Sequence, residues 1–240
     1  MNTALIFAGG TGKRMGSAGR PKQFLELHGK PIIIHTLEHF DRHPEIDAIA
    51  VVCISGWIDY LKDQLERWRI RKVQWIVPGG ETSQDSTRAG LDTLAAHCNP
   101  ADTIVLIHDG VRPLISEKLI SDNIAAVKAY GNAITAAPAI ETIITVNQAQ
   151  DVTALIDRQS CRLARAPQSF YLADILAMHR RAAEEGYDRM IDSASLMIHY
   201  GQKLHLVAGP AENIKITTPS DFYIFKAIQE ARENMQILGL

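Results

Sequence analysis

Residues 4–15 read Ala-Leu-Ile-Phe-Ala-Gly-Gly-Thr-Gly-Lys-Arg-Met, and this stretch is the strongest indication of the fold. Ala4–Ala8 is an apolar run of the length that a buried strand needs. The glycines after it leave backbone N–H groups open to a ligand, and Lys13, Arg14 and Lys22 add positive charge. Many α/β proteins hold phosphate groups on a glycine-rich cationic loop that follows a buried strand. The stretch therefore predicts a phosphate-binding loop.

Two better-known phosphate loops do not fit this spacing. A Walker loop requires Ser or Thr after its Gly-Lys pair, whereas Arg14 follows Lys13. A dinucleotide fingerprint requires a third glycine where Met15 stands. The loop is thus expected to bind phosphate in a different way.

Strand and helix patterns alternate along the chain up to residue 138. The strands predicted after the first are Ala48–Ile54, Val73–Val77, Thr103–Ile107 and Ala133–Pro138, and the helices between them are Pro31–His43, Ile58–Trp68, Thr82–His97 and Leu119–Tyr130. Alternation of this kind is typical of an α/β fold with a doubly wound, mostly parallel sheet. Helices are also predicted over Leu172–Glu184, around Ser193–Tyr200 and from Pro219 onward.

Polar segments follow several of these strands, and ligands of doubly wound sheets bind at the carboxyl ends of the strands. The segments Gly9–Lys22, Gly79–Ser86 and Asp109–Arg112 are therefore expected to meet in one cleft. A single carboxylate such as Asp109 suits Mg²⁺ that arrives with a nucleotide, although it could also merely cap the following turn. Lys215, flanked by Ile214 and Ile216, is a cation that alternation directs toward the strand ends, although it could also be a solvated lysine at the edge of the sheet.

Residues 139–165 interrupt the alternation. Thr142–Val146 and Val152–Asp157 read as two strands joined by a turn over Asn147–Asp151, which predicts a projecting β-arm. Such an arm either pairs with a second subunit or remains a surface hairpin. We otherwise expect one domain over residues 1–240.

Composition excludes several classes of function. The net charge of −2 gives no support to a nucleic-acid partner, which normally requires a basic excess. Cys53, Cys98 and Cys161 have no metal-ligand spacing and are expected to be reduced thiols. No apolar run approaches membrane-spanning length and no secretory signal is recognisable, so we expect a cytoplasmic protein with no membrane partner.

Several motifs in a fixed order resemble those of the cytidylyltransferases of the methylerythritol-phosphate and ribitol-phosphate type. They are Ala8-Gly9-Gly10-x-Gly12-x-Arg14-Met15, Pro21-Lys22-Gln23, His108-Asp109-x-x-Arg112-Pro113, Pro167-Gln168 and Asn213-Ile214-Lys215-Ile216-Thr217. The resemblance extends over nearly the whole chain. It implies a Rossmann-like nucleotidyltransferase fold, a homodimer joined through the β-arm, CTP as substrate and Mg²⁺ as cofactor.

The resemblance also implies roles for individual residues. Phosphate contacts would come from Arg14, Lys22 and Lys215, with Asp109 at the metal. Nucleotide contacts would come from Ala8, Gly9, Gly10, Thr11, Gly12, Gly80, Glu81, Ser86 and Gly110. Acceptor contacts would come from Thr142 and Arg158, which reach the site of the neighbouring subunit. Arg112, before Pro113, could add an acceptor-phosphate contact or simply pair with a nearby acid.

The chain departs from the family pattern at Ser83, where an arginine is usual, and at Ala166 and Ile191, where the methylerythritol-phosphate branch has threonines. We therefore expect transfer of CMP to a polyol phosphate with ribitol 5-phosphate favoured, and 2-C-methyl-D-erythritol 4-phosphate as the alternative. Two further alternatives are a nucleotidyltransferase for another sugar phosphate and base, and a non-catalytic nucleotide-binding module.

Overall fold

The structure, a computed structural model, describes residues 1–10, 19–188 and 190–238. In chain order its strands and helices are β1 (Asn2–Ala8), β2 (Glu26–Leu27), β3 (Lys30–Pro31), α1 (Ile32–Arg42), β4 (Ala48–Cys53), α2 (Ile58–Arg67), β5 (Val73–Pro78), α3 (Ser83–His97), β6 (Ile104–Asp109), α4 (Glu117–Tyr130), β7 (Asn132–Pro138), β8 (Ile143–Val146), β9 (Val152–Ile156), β10 (Arg162–Tyr171), α5 (Leu172–Glu184), α6 (Ser193–His199), β11 (Leu206–Ala208) and α7 (Pro219–Leu238). The predicted strands and helices are present, with ends that differ by a few residues.

The main sheet has seven strands in the order β11-β7-β10-β6-β1-β4-β5. All of its described pairings are parallel except those of β10, which runs antiparallel to both β6 and β7. The prediction of a doubly wound, mostly parallel sheet is thus confirmed. Strand β1 lies between β6 and β4, so the loop that follows it opens near the middle of the sheet.

Helices cover both faces of the sheet because successive strand residues point to opposite sides. In β1, Ala4 and Ile6 pack on one face together with apolar residues of α1, α2 and α4. Leu5 packs on the other face, against α3, α5 and α6. These β1 side chains are fully buried, as expected for a central parallel strand.

Strand β10 was not predicted from the sequence. Its pairing with β7 is regular up to Ala164 and resumes at Gln168, with an irregularity between them. Pro167 lies inside this break, because proline has no N–H to donate to a sheet. Residues 164–167, Ala-Arg-Ala-Pro, end in this proline, so the sequence does not show the continuous apolar-polar alternation that would indicate a strand.

The predicted β-arm is present as the hairpin of β8 and β9, which form a two-stranded sheet of their own. Its large apolar side chains are exposed in the single chain, with Leu155 at 73% and Val152 at 61% exposure. The last residues of the predicted arm, from Arg162 onward, belong to β10 of the main sheet.

The first turn of α3 is stabilised by a side-chain cap. Thr82 accepts a hydrogen bond from the backbone N–H of Asp85, and the Asp85 carboxylate accepts one from the backbone N–H of Thr82. This reciprocal arrangement satisfies N–H groups that a helix start otherwise leaves unpaired. In the described part of the chain, no helix is long and apolar enough to cross a bilayer.

His108 on β6 and His179 on α5 are almost completely inaccessible to solvent. Burial lowers the pKa of His108 to about 3 and the pKa of His179 to about 4. Neither ring nitrogen of His179 has a hydrogen-bond partner within the described residues. The folded protein therefore keeps this ring neutral at pH values where the unfolded chain protonates it.

This difference predicts a loss of stability in acid. A histidine whose pKa is lowered by folding stabilises the protein above its unfolded value of about 6.5 and loses that contribution as the pH falls. On going from about pH 7 to about pH 5, the parent protein should lose about 2 kcal/mol of unfolding free energy through His179. The variant His179→Leu should not show this part of the loss. Urea unfolding at both pH values measures this loss. The change His97→Gln, at an exposed histidine of α3, is the control; equal losses in all three proteins would contradict a buried neutral His179.

Candidate functional site

A cleft of about 750 Å³ opens at the carboxyl ends of the parallel strands. Many of the residues predicted to form the site line it together: Ala8, Gly9, Gly10, Lys22, Gly80, Glu81, Ser86, Asp109, Arg112 and Lys215. They come from segments far apart in the chain. The predicted convergence of the strand ends on one cleft is confirmed.

The centre of the cleft is an ion-pair cluster around Asp109, the last residue of β6. One carboxylate oxygen, Oδ1, lies 2.6 Å from Nζ of Lys215, and the other, Oδ2, accepts a hydrogen bond of 2.8 Å from Nε of Arg112. Arg112 is only 9% exposed at its side chain, whereas the side chain of Lys215 is 42% exposed. Lys215 thus presents its ammonium group to the open cleft.

The electrostatics of this cluster keep Asp109 ionised. Burial by itself would raise the pKa of its carboxyl group, but the positive charges of Lys215 and Arg112, with their hydrogen bonds, hold that pKa well below its usual range. An opposite charge at this distance favours the charged form of a carboxyl group. The cluster therefore carries a fixed negative charge between two cations.

Lys215 is positioned by the segment that precedes α7. The alternation of Ile214, Lys215 and Ile216 predicted its direction correctly, although these residues form no strand. The backbone N–H of Ile216 donates instead to the carbonyl of Val111, at 2.9 Å, beside the Asp109 turn. Asp221 in the first turn of α7 accepts from the backbone N–H groups of Thr217 and Thr218.

Asn213 links this segment to β10. Its side-chain Nδ2 donates to the carbonyl of Ala166 at 2.7 Å, and its own carbonyl accepts from Nη1 of Arg112 at 2.9 Å. Asn213 is completely buried. The loop after β6, the segment before α7 and the irregular part of β10 are therefore held as one unit.

The turn after β5 provides a second wall of the cleft. The backbone N–H of Gly80 donates to Oγ of Ser86 at 3.0 Å, which ties the turn to the first turn of α3. A Cβ atom at Gly80 would lie 2.4 Å from Cβ of Asp85, so a side chain there would require the turn to shift. Ser83, where the family usually has arginine, begins α3 and also lines the cleft.

The glycine-rich loop is described only at its ends. Ala8, Gly9 and Gly10 line the cleft, while Thr11, Gly12, Lys13 and Arg14 lie outside the described residues. At the far end of the loop, the buried Gln23 donates from Nε2 to the carbonyl of Ala8 at 2.6 Å. This bond sets Lys22 beside the carboxyl end of β1.

The remaining predicted residues do not line the cleft of their own chain. Gly110 is buried behind Asp109, where its N–H donates to the Phe7 carbonyl at 2.9 Å and a Cβ atom would lie 2.8 Å from that oxygen. Thr142 and Arg158 lie on the exposed arm, and Nη1 of Arg158 donates to the carbonyl of Ile140 at 3.1 Å.

Sequence reasoning assigned no role to several residues that shape the cleft. Gln168 donates from Nε2 to Asp192 at 2.8 Å and accepts from the N–H of Ala194 at 2.9 Å, so it fixes the start of α6. The Pro167-Gln168 motif was the available signal. Arg165 also lines the cleft, and it had no signal because β10 was not predicted.

The described residues contain no group of three or more His, Cys, Asp or Glu side chains that could hold a metal ion. Asp109 is the acid at the centre of the cleft, and each of its oxygens already contacts one cation. A carboxylate oxygen has a second lone pair, so this one carboxylate still suits a magnesium ion whose other ligands are phosphate oxygens and water.

Comparison with known proteins agrees with this geometry. The family model for 2-C-methyl-D-erythritol 4-phosphate cytidylyltransferase (IspD) matches residues 2–231. Two relatives that carry the name ribitol-5-phosphate cytidylyltransferase, from Vibrio parahaemolyticus and Streptococcus agalactiae, are 53% and 51% identical, each over 100% of this chain and 100% of their own length. A relative from Geotalea uraniireducens, named 2-C-methyl-D-erythritol 4-phosphate cytidylyltransferase, is 41% identical over 94% of this chain and 95% of its own.

Solved structures give the same result. The crystal structure of 4-diphosphocytidyl-2C-methyl-D-erythritol synthase from Anaerococcus prevotii superposes with a TM-score of 0.81 at 29% identity, covering 95% of this chain and 96% of that chain. The resemblance first seen in the sequence motifs is confirmed. The chain belongs to the IspD family and is a cytidylyltransferase.

Proposed function

We propose that this enzyme transfers CMP from CTP to ribitol 5-phosphate, forming CDP-ribitol and releasing pyrophosphate. The observation that carries the proposal is the presence of Lys22, Lys215 and Arg112 in one cleft, where the last two contact Asp109. Cations arranged in this way suit a substrate with several phosphates better than a neutral ligand. Names of relatives at 51–53% identity support ribitol 5-phosphate as the acceptor.

The reaction is an in-line substitution at the α-phosphorus of CTP. A phosphate oxygen of the acceptor forms the new bond to this phosphorus, and the bond to the bridging oxygen of the β-phosphate breaks on the opposite side. The attacking oxygen is already anionic, so no base has to remove a proton. The work left to the protein is to orient the two phosphates and to offset their negative charges.

The cations of the cleft divide this task. We assign Lys215 to the α-phosphate, because its side chain is partly exposed to the cleft and Asp109 holds its ammonium group in place. Lys22, Arg14 and the loop residues Ala8, Gly9, Gly10, Thr11 and Gly12 are assigned to the rest of the triphosphate. A cation fixed before the reaction stabilises charge that develops at the transition state without reorganising.

The turn after β5 is assigned to the cytosine base. Gly80 and Glu81 line the cleft, so their backbone polar groups are assigned to the edge of the base, and the hydroxyl group of Ser86 is assigned to it from the same wall. Gly110 contributes indirectly, since only a residue without Cβ allows β6 and β1 to approach closely beyond Asp109. These assignments give the nucleotide the half of the cleft that lies over β1, β4 and β5.

Magnesium is the proposed cofactor, with Asp109 as its protein ligand. When bound with the nucleotide it would offset charge on the phosphate oxygens. The single carboxylate at the centre of the cleft supports a metal that arrives together with its phosphate ligands.

We also propose that the enzyme is a cytoplasmic homodimer joined through the β-arm. Exposed apolar residues are concentrated on this arm, and a monomer rarely leaves such a group uncovered: Ile140, Ile144, Val146, Val152, Leu155 and Ile156. Thr142 and Arg158 lie on the same arm, outside the cleft of their own chain. Both are therefore assigned to the acceptor in the partner's cleft, together with Arg112 of the chain that owns the cleft.

The first prediction from this proposal concerns the lysines. Lys215→Ala and Lys22→Ala should each lower kcat/KM by about 10²–10³-fold, the usual effect of losing one preorganised charge contact at a transition state. Pyrophosphate release measures the rate, and circular dichroism checks the fold. Lys62→Ala, at an exposed lysine of α2, should remain fully active. Turnover near the parent rate in a variant would remove that lysine from the mechanism.

The second prediction concerns the acceptor. With CTP and Mg²⁺ present, ribitol 5-phosphate should give a higher kcat/KM than 2-C-methyl-D-erythritol 4-phosphate. Ala166 and Ile191 both line the cleft, and they lack the hydroxyl groups of the threonines that the resemblance places on the acceptor side in the methylerythritol-phosphate branch. Each lost hydrogen bond to a polar substrate group costs about 1–3 kcal/mol. A higher kcat/KM for methylerythritol 4-phosphate would reverse the choice of acceptor without affecting cytidylyl transfer.

The third prediction concerns the arm. Arg158→Ala and Lys22→Ala should each be inactive alone, but co-refolded mixtures should recover activity, because a mixed dimer contains one cleft with both residues intact. Random pairing places one such cleft in half of the dimers, so about a quarter of the parent activity is expected. Mixtures that stay inactive would show that each chain builds its cleft without a partner's arm.

A further inference from the structure

Arg165 is a cation of the cleft that no contact in the single chain explains. It is half-buried, and its Nε atom is buried without a hydrogen-bond partner. Within residues 1–10, 19–188 and 190–238 it makes neither an ion pair nor a side-chain hydrogen bond. A buried donor without a partner is costly unless a ligand supplies the acceptor.

The backbone around Arg165 is held firmly, so its position is not accidental. It lies in the irregular part of β10, between the paired residues Ala164 and Gln168. The next residue, Ala166, is bound through its carbonyl by Asn213, which is itself bound by Arg112. This chain of hydrogen bonds places Arg165 next to the ion-pair cluster of Asp109.

Two guanidinium groups share this region without an acid for each. Burial lowers the pKa of Arg165, and the nearby charge of Arg112 lowers it further. Both oxygens of Asp109 are already engaged, one by Arg112 and one by Lys215. Repulsion between neighbouring cations is unfavourable in the free enzyme, and it is relieved when an anion binds between them.

The order of the strands indicates which anion this is. Strand β6, which carries Asp109, lies between β10 on one side and β1 on the other. The glycine-rich loop follows β1, and the turn of Gly80 follows β5 farther along the same direction. Arg165 therefore lies on one side of Asp109, and the groups assigned to the triphosphate and the base lie on the other side.

We propose that Arg165 binds the phosphate group of the acceptor, beside Arg112 and opposite the nucleotide. This inference rests on the proposed function and adds an acceptor-binding residue to it. A phosphate monoester carries up to two negative charges and three terminal oxygens, which suits two guanidinium groups and leaves one oxygen to attack the α-phosphorus. Because Ala166 has no side-chain donor, Arg165 is the donor that this part of β10 supplies.

The test is a kinetic comparison of Arg165→Ala, Arg165→Lys and the parent enzyme, varying CTP and ribitol 5-phosphate separately. The KM for the acceptor should rise about 10–100-fold in Arg165→Ala, from the loss of charged hydrogen bonds, while the KM for CTP stays within about twofold. Arg165→Lys should recover part of the loss. Arg180→Ala, which removes an exposed arginine of α5, is the matched control and should match the parent.

Inorganic phosphate provides a probe that does not depend on turnover. It should inhibit competitively against the acceptor, and its inhibition constant should rise in Arg165→Ala by a factor similar to that of the acceptor KM. A rise in the KM for CTP instead, or no change in either KM, would overturn the proposal. Should Arg165→Ala fail to fold, Arg165→Gln keeps part of the stem and a polar end group without the charge, and the same changes in KM are expected.

Failure of the proposed function would look different. A parent enzyme that prefers methylerythritol 4-phosphate would contradict the chosen acceptor, yet Arg165 would still be tested, since that acceptor is also a phosphate monoester. A parent enzyme with no transferase activity would contradict the function as a whole. Titration calorimetry with inorganic phosphate on the parent and on Arg165→Ala then tests the binding site directly, and equal affinities would refute it.

Discussion

The carboxylate of Asp109 is the interaction on which the cleft depends. It ends the strand that adjoins β1 and β10, and it holds a cation from each of two other segments, Arg112 in the following turn and Lys215 before α7. Without it, these cations would repel each other at short range and Lys215 would have no fixed position. A buried ion pair contributes little to stability by itself, so we interpret this cluster as a device for preorganisation.

The sheet places this carboxylate in the cleft where the strand ends converge. Parallel strands direct their carboxyl ends to one edge, and the loops after β1, β5 and β6 share that edge. Strand β10 enters from the opposite direction and brings its irregular middle to the same place. The cleft thus has one wall made of loops and another made of a strand.

Much of this could be predicted from the sequence, because it depends on local patterns. Apolar runs identified the central strands, and the glycine-rich loop and Asp109 were recognisable from their places after such runs. Motif order identified Lys215, whose direction followed from its apolar neighbours. These signals survive because burial on both faces leaves a strand little choice of residue.

The rest depends on pairing between distant segments, which leaves no local pattern. Strand β10 is interrupted by Pro167, and its residues do not alternate, so neither the strand nor Arg165 could be placed. The clamp from Arg112 through Asn213 to the carbonyl of Ala166 joins three segments that are remote in sequence. The hydrogen bond from Gln23 to the carbonyl of Ala8 spans the loop and likewise has no periodicity to reveal it.

The irregularity of β10 bears on how enzymes of this fold can diverge. Residues on either side of it are held by regular pairing with β7 and β6, whereas Arg165 and Ala166 are not part of that ladder. A substitution there changes the chemistry of one wall without altering sheet register or the loops assigned to the nucleotide. On the proposed assignment, substitutions at these two positions change how the acceptor is held and leave the groups assigned to CTP in place, so enzymes of this fold can share one donor substrate and differ in acceptor.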